Sequence, residues 1–171
     1  MNLFILRHAT ASNPGEDGLP KELPDADRPL SHEGKVKLVR AAEAMREQGL
    51  KFDAVLSSPL LRARQTAQCV AKELKLKQKP VPTAHLAPDG SPKLLIEQLI
   101  ETGVNSKNIL LVGHEPYLSQ FISLLISGST TTAIELKKGG LAKLEVRHLG
   151  YARCASLAWL LTPKQLRSFK S

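Results

Sequence analysis

Aromatic residues make up only 4% of this chain, and cysteine occurs twice, as Cys69 and Cys154. So few aromatics leave little material for the stacking platforms on which single-stranded nucleic acids bind. The two cysteines stand far apart in no metal-ligand or redox spacing, and they read as small packed residues of a reduced compartment. Long apolar runs are missing as well. Leu3 to Leu6 is too short for a signal core or a membrane span, and no basic stretch precedes it, so a cytoplasmic protein without a membrane partner is expected. The five histidines (His8, His32, His85, His114 and His148) do not group with acids at ligand spacing, and there is no P-loop lysine motif. No metal and no cofactor is expected.

What is present suits one compact domain over residues 1–171, with 42% hydrophobic residues to build a core without disulfides. Lysine and arginine outnumber the acids 24 to 16, a net charge of +8 that favours anionic partners without defining a site. The lysines between Lys72 and Lys79 alternate with apolar residues in helical fashion and read as the solvated face of an amphipathic helix.

Asn2 to Leu6 reads as a buried strand that ends abruptly at Arg7-His8. Thr10 to Pro29, rich in Pro, Gly and Asp, is a long surface loop of the kind that covers a site as a lid. Ser31 caps a helix running to about Gln48 with Leu38, Ala41, Ala42 and Met45 on one face, and Gly49 stops it. Asp53 to Ser57 is a strand, and a helix carrying Ala63, Ala67, Val70, Ala71 and Leu74 begins near Pro59. Lys79 to Thr83 is a weaker strand. Ser91-Pro92 opens a helix through Leu95 and Leu99 that Gly103 closes. Asn108 to Val112 is a strongly apolar strand, turned by Gly113-His114-Glu115-Pro116 into a helix with Leu118, Phe121, Ile122 and Leu125. Ala133 to Lys137, Leu141 to Val146 and Ala155 to Leu160 read as strands, and Pro163 opens a short last helix. The expected fold is a three-layer α/β/α sandwich around a mainly parallel mixed sheet.

In such sheets ligands bind outside the carboxyl ends of the strands. Arg7-His8, Ser57 to Arg62 and Gly113-His114 all follow strands. Two arginines and two histidines on one rim suit a dianionic phosphoryl group, with bidentate charge for its oxygens and a neutral histidine as nucleophile. Gly113 would let backbone approach the pocket closely, and Arg64 reads as a surface charge.

Leu6-Arg7-His8-Ala9, Ser57-Ser58-Pro59-Leu60-Leu61-Arg62-Ala63-Arg64-Gln65-Thr66-Ala67 and Val112-Gly113-His114-Glu115-Pro116 resemble, in order, the three signature segments of the histidine phosphatase superfamily. The short length and the Arg-His-Ala start look like its SixA-type phosphohistidine phosphatase branch, whereas phosphoglycerate mutase relatives carry Gly at the position of Ala9. Leu86 to Gly90 and Ile134 to Gly139 are also SixA-like. The resemblance implies that His8 attacks phosphorus and becomes transiently phosphorylated, while Arg7, Arg62 and His114 hold the transferring oxygens. It further implies a phosphohistidine-bearing protein partner, of the phosphotransfer-domain or phosphocarrier type.

Alkyl phosphates have poor leaving groups, for which a positioned general acid contributes about 10²–10⁴-fold in rate. Glu16, Asp17, Asp89 and Glu115 are acid candidates by proximity alone, and Glu16, Asp17 and Asp89 read more simply as loop and turn residues. A phosphohistidine needs less help, because a protonated imidazole leaves readily. P–N hydrolysis on a protein is therefore favoured over a broad small-molecule phosphomonoesterase on the same scaffold. A basic nucleic-acid-binding module, supported by charge alone, is the distant alternative.

Overall fold

The computed structural model describes residues 1–103 and 106–168. Strand β1 (Asn2–Arg7) and strand β4 (Asn108–Gly113) are apolar on both faces because both faces are covered. Leu3, Ile5, Ile109 and Leu111 join one core, and Phe4, Leu6, Leu110 and Val112 join the other, which is the two-residue alternation of a pleated strand. The first core is roofed by α3 (Pro92–Gly103) and α4 (Tyr117–Ser127). The second is roofed by α1 (His32–Glu47), α2 (Leu61–Glu73) and the short α5 (Pro163–Ser168). The chain is thus an α/β/α sandwich.

The six-stranded sheet has the order β3-β2-β4-β1-β5-β6. Strands β2 (Ala54–Ser57) and β3 (Val81–Pro82) continue the parallel pairing of β1 with β4, and β5 (Leu141–Val146) runs antiparallel to both β1 and β6 (Ala155–Leu161). Ser31 caps α1 as its position implies, its side chain accepting from Gly34 N at 3.0 Å, and Gly49 follows the helix with φ of 71°.

Two expectations fail locally. Ala133 to Lys137 is not a strand. Its apolar residue Leu136 is buried as alternation implies, but β5, the strand next to it in the chain, already has β1 on one side and β6 on the other, so the segment cannot pair beside β5. The backbone of the segment turns to other partners: Leu136 O accepts from Arg7 and Lys137 O from Gly140 N. The lysine run after Lys72 also leaves the helix early. Helix α2 ends at Glu73, and Lys75 takes a left-handed φ of 53°, so Lys75, Lys77 and Lys79 sit exposed in a turn.

Candidate active site

Strand register assembles the rim. Arg7 stands opposite Gly113, and Ser57 stands opposite Val112. The residues that follow are drawn into the same place, as His8 N donates to Gly113 O at 3.0 Å and Ser58 N to Val112 O at 2.8 Å. His8, Ser58 and His114 therefore leave three adjacent parallel strands at their carboxyl ends.

His8 is only 7% exposed. Its Nδ1 lies 2.7 Å from Ala9 O. A carbonyl only accepts, so Nδ1 carries the proton, and Nε2 is left with a free lone pair. Burial above all pushes its pKa down to about 4, against the pull of the Ala9 hydrogen bond and with the help of the charges on Arg62, Arg7 and Lys138. The His114 ring centroid is 4.9 Å away at a tilt of 53°. Burial, followed by His8 and Arg62, pushes His114 down to about 3. Both imidazoles are neutral at physiological pH.

His114 Nε2 lies 2.8 Å from Ser58 Oγ, and its buried Nδ1 has no hydrogen-bond partner among the described residues. Ser58 Oγ already accepts from Leu60 N at 3.3 Å, so its own hydrogen is available for His114 Nε2. When Ser58 donates to Nε2 in this way, the ring proton stands on Nδ1 and His114 can act as a donor there.

Arg62 sits in the first turn of α2 and is 6% exposed. Its Nη1 donates to Asp25 O at 2.7 Å and its Nη2 to Asp25 Oδ2 at 2.9 Å. Burial raises the Asp25 carboxyl, but hydrogen bonds from Arg62 and Arg28 outweigh it and hold the group below its ordinary range. Arg7 donates from Nη1 to Leu136 O at 3.0 Å, and its buried Nε has no hydrogen-bond partner among the described residues. Thr66 ties the parts together: its hydroxyl donates to Arg62 O at 2.7 Å and accepts from Ala9 N at 3.2 Å. Gln65 Oε1 accepts from Leu30 N at 2.7 Å, anchoring the end of the long loop.

The structure thus brings Arg7, His8, Arg62 and His114 to one place. Gly113 is there through its carbonyl, while a side chain at this position would press on Leu118 Cδ2 (3.0 Å) and Leu86 O (3.3 Å). Its missing Cβ makes room for packing toward α4. Among the acid candidates, Glu16 accepts from Asn13 N at 3.0 Å and Asp17 from Ser12 Oγ at 2.6 Å, both within their own loop, and Asp89 is exposed in a turn. Glu115 differs. Its Oε2 accepts from Ser119 Oγ at 2.5 Å, its Oε1 is buried with no hydrogen-bond partner among the described residues, and burial raises its pKa. Arg64 is exposed.

Asp25 was not legible as part of this site, and Ser58 and Thr66, though inside the Ser57 to Ala67 segment, carried no role there. Asp25 lies in a loop with no period to read, and Ser58 and Thr66 are small polar residues that reach the site through partners distant in sequence, His114 and Ala9. The described residues contain no cluster of three or more His, Cys, Asp or Glu placed to hold a metal ion, and no helix among them is long and apolar enough to cross a membrane.

A doubly covered sheet whose strand ends present two neutral histidines and two arginines is the architecture of a phosphatase. The chain belongs to the histidine phosphatase superfamily (branch 1), whose family model matches residues 3–85. Within that superfamily it is similar to the SixA type. Phosphohistidine phosphatase SixA of Escherichia coli is 29% identical over 133 residues, covering 76% of this chain and 77% of SixA. A Picosynechococcus protein described only as uncharacterized is 34% identical over 146 residues, 84% of each chain. The fold matches the protein histidine phosphatase SixA complexed with tungstate at a TM-score of 0.81 and 24% identity, covering 97% of this chain and 99% of that one. It also matches the alpha-ribazole phosphatase from Shigella flexneri at a TM-score of 0.67 and 16% identity, covering 95% and 97%.

Proposed function

We propose that this phosphatase hydrolyses a protein-borne phosphohistidine through a covalent intermediate on His8, without a metal. The observation that carries the reading is the His8 ring, held neutral with its proton on Nδ1 toward Ala9 O and its Nε2 free beside two arginines and a second histidine. Nε2 attacks phosphorus in line while the bond from phosphorus to the partner's imidazole breaks, and that imidazole leaves carrying a proton. Arg7, Arg62 and His114 Nδ1–H bear the charge on the non-bridging oxygens. Water then attacks the phosphorylated His8, the P–Nε2 bond breaks, and inorganic phosphate departs. Gly113 positions His8 through its carbonyl. The likeness to E. coli phosphohistidine phosphatase SixA supports the same substrate class.

Glu115 favours a second reading, a small-molecule phosphomonoesterase. A carboxyl whose pKa burial raises, with one oxygen unpartnered among the described residues, is suited to protonate an alkoxide leaving group.

The test is kcat/KM in EDTA on a phosphohistidine-bearing protein and on alkyl phosphates in parallel, for the wild type, His8→Ala and Glu115→Gln. The expected result is a strong preference for phosphohistidine, lost by at least about 10³-fold in His8→Ala and little changed in Glu115→Gln. Alkyl phosphates turned over as well or better, with that activity removed by Glu115→Gln, would establish the second reading. Activity surviving in His8→Ala would overturn the mechanism.

A further inference from the structure

Immediately beyond His8 the surface opens into a second recess. A cavity of ≈ 330 Å³ begins at Ala9 and Thr10 and runs between α1, the 137–139 turn and the start of α5. Five cations line it, Lys37, Lys137, Lys138, Lys164 and Arg167, and no acidic residue does. Lys37 and Lys137 pair with Glu33 and Glu135. Arg167 keeps a buried Nη1 without a hydrogen-bond partner among the described residues. Lys138 is near enough for its charge to depress the His8 pKa. The floor is apolar, made by the buried Leu38 and Ala41 with Pro163 beside them.

Gathering like charges around one recess opposes folding unless something there complements them. We propose that this groove docks an acidic segment of the phosphohistidine-bearing protein, its carboxylates meeting the lysines and its apolar side chains resting on Leu38 and Ala41. The proposal rests on the function proposed above. A protein that brings a phosphorylated imidazole to His8 comes close to this groove, which begins at the next two residues, Ala9 and Thr10. A nucleic acid would track a longer stripe of phosphates with aromatic faces for its bases, and no aromatic residue lines the recess. A membrane surface would ask for exposed apolar side chains around the charges; of the large exposed hydrophobics, only Val36 lies on α1.

The test uses Lys37→Glu/Lys164→Glu, both exposed and neither in the phosphate pocket, measured on a phosphohistidine-bearing protein and on free phosphohistidine across a salt series. Expected is a rise in KM for the protein substrate on the order of tenfold, a flatter salt dependence, and free phosphohistidine turned over within about twofold of wild type. The unchanged small-substrate rate certifies that the variant is folded. Protein-substrate kinetics equal to wild type would overturn the docking groove while leaving the function intact. So would unchanged kinetics combined with lost retention on RNA or on vesicles of anionic lipid. A wild type that hydrolyses alkyl phosphates through His8 but no protein-borne phosphohistidine overturns the function reading, and the groove's role with it.

Discussion

At His8 the chemistry depends on which ring nitrogen holds the proton, and Ala9 O decides that by accepting from Nδ1. The same question arises at His114, whose Nε2 meets Ser58 Oγ at 2.8 Å. Ser58 does not reach substrate in this scheme. In the proposed mechanism it orients the ring with Nδ1–H toward the phosphoryl group, a role whose loss costs about 10–100-fold in comparable supporting shells. Ser58→Ala should therefore lower kcat by that order with little change in KM, and Ser58→Thr, which keeps the hydroxyl, should recover most of it. A Ser58→Ala enzyme with wild-type kcat would show that His114 needs no such partner. The depressed His8 pKa adds a readout: the acid limb of kcat/KM should fall near pH 4, corrected for the acid lability of the substrate, and not near the 6.5 of a free imidazole.

At the scale of elements, the site depends on how strand β4 ends and α4 begins. Gly113 lies between the Arg7 pairing and His114, and a methyl group there would stand 3.0 Å from Leu118 Cδ2 and 3.3 Å from the Leu86 carbonyl. The backbone must shift to admit it, and His114 is the next residue. Gly113→Ala should cost about 1–3 kcal/mol in urea unfolding and reduce activity by more than the lost stability explains. Full activity at undiminished stability would mean that α4 can slide without moving His114. The long 10–29 loop is also more tightly held than its composition implies. Asp25 grips Arg62 and Arg28, Arg28 Nε donates to Ser12 O, and Gln65 holds Leu30, so the loop is fastened to α2 beside the candidate site.

Across the whole molecule, two buried neutral histidines tie stability to pH. Their folded-state pKa values, about 4 for His8 and about 3 for His114, lie below the 6.5 of an unfolded chain. Between pH 6.5 and about 4 the unfolded chain therefore binds protons that the folded one refuses, and stability falls as the pH drops through that window. From pH 7 to 4.5 the wild type should lose about 2 kcal/mol more than His8→Gln, which cannot titrate, when both are unfolded in urea. Parallel loss in the two proteins would show that His8 is not the linked group. The layered architecture, the strand ends and the set Arg7, His8, Arg62 and His114 were legible in the chain, because apolar period and strand-end position are local properties that survive in one dimension. Ala133 to Lys137 misled for the converse reason: its alternation reported burial truthfully, but whether a sheet edge is free depends on strands far away in sequence. Asp25 on Arg62, Ser58 on His114 and the cationic groove joining α1, the 137–139 turn and α5 all unite residues tens of positions apart. Such contacts come from strand register and helix packing, so they exist only once the chain has folded.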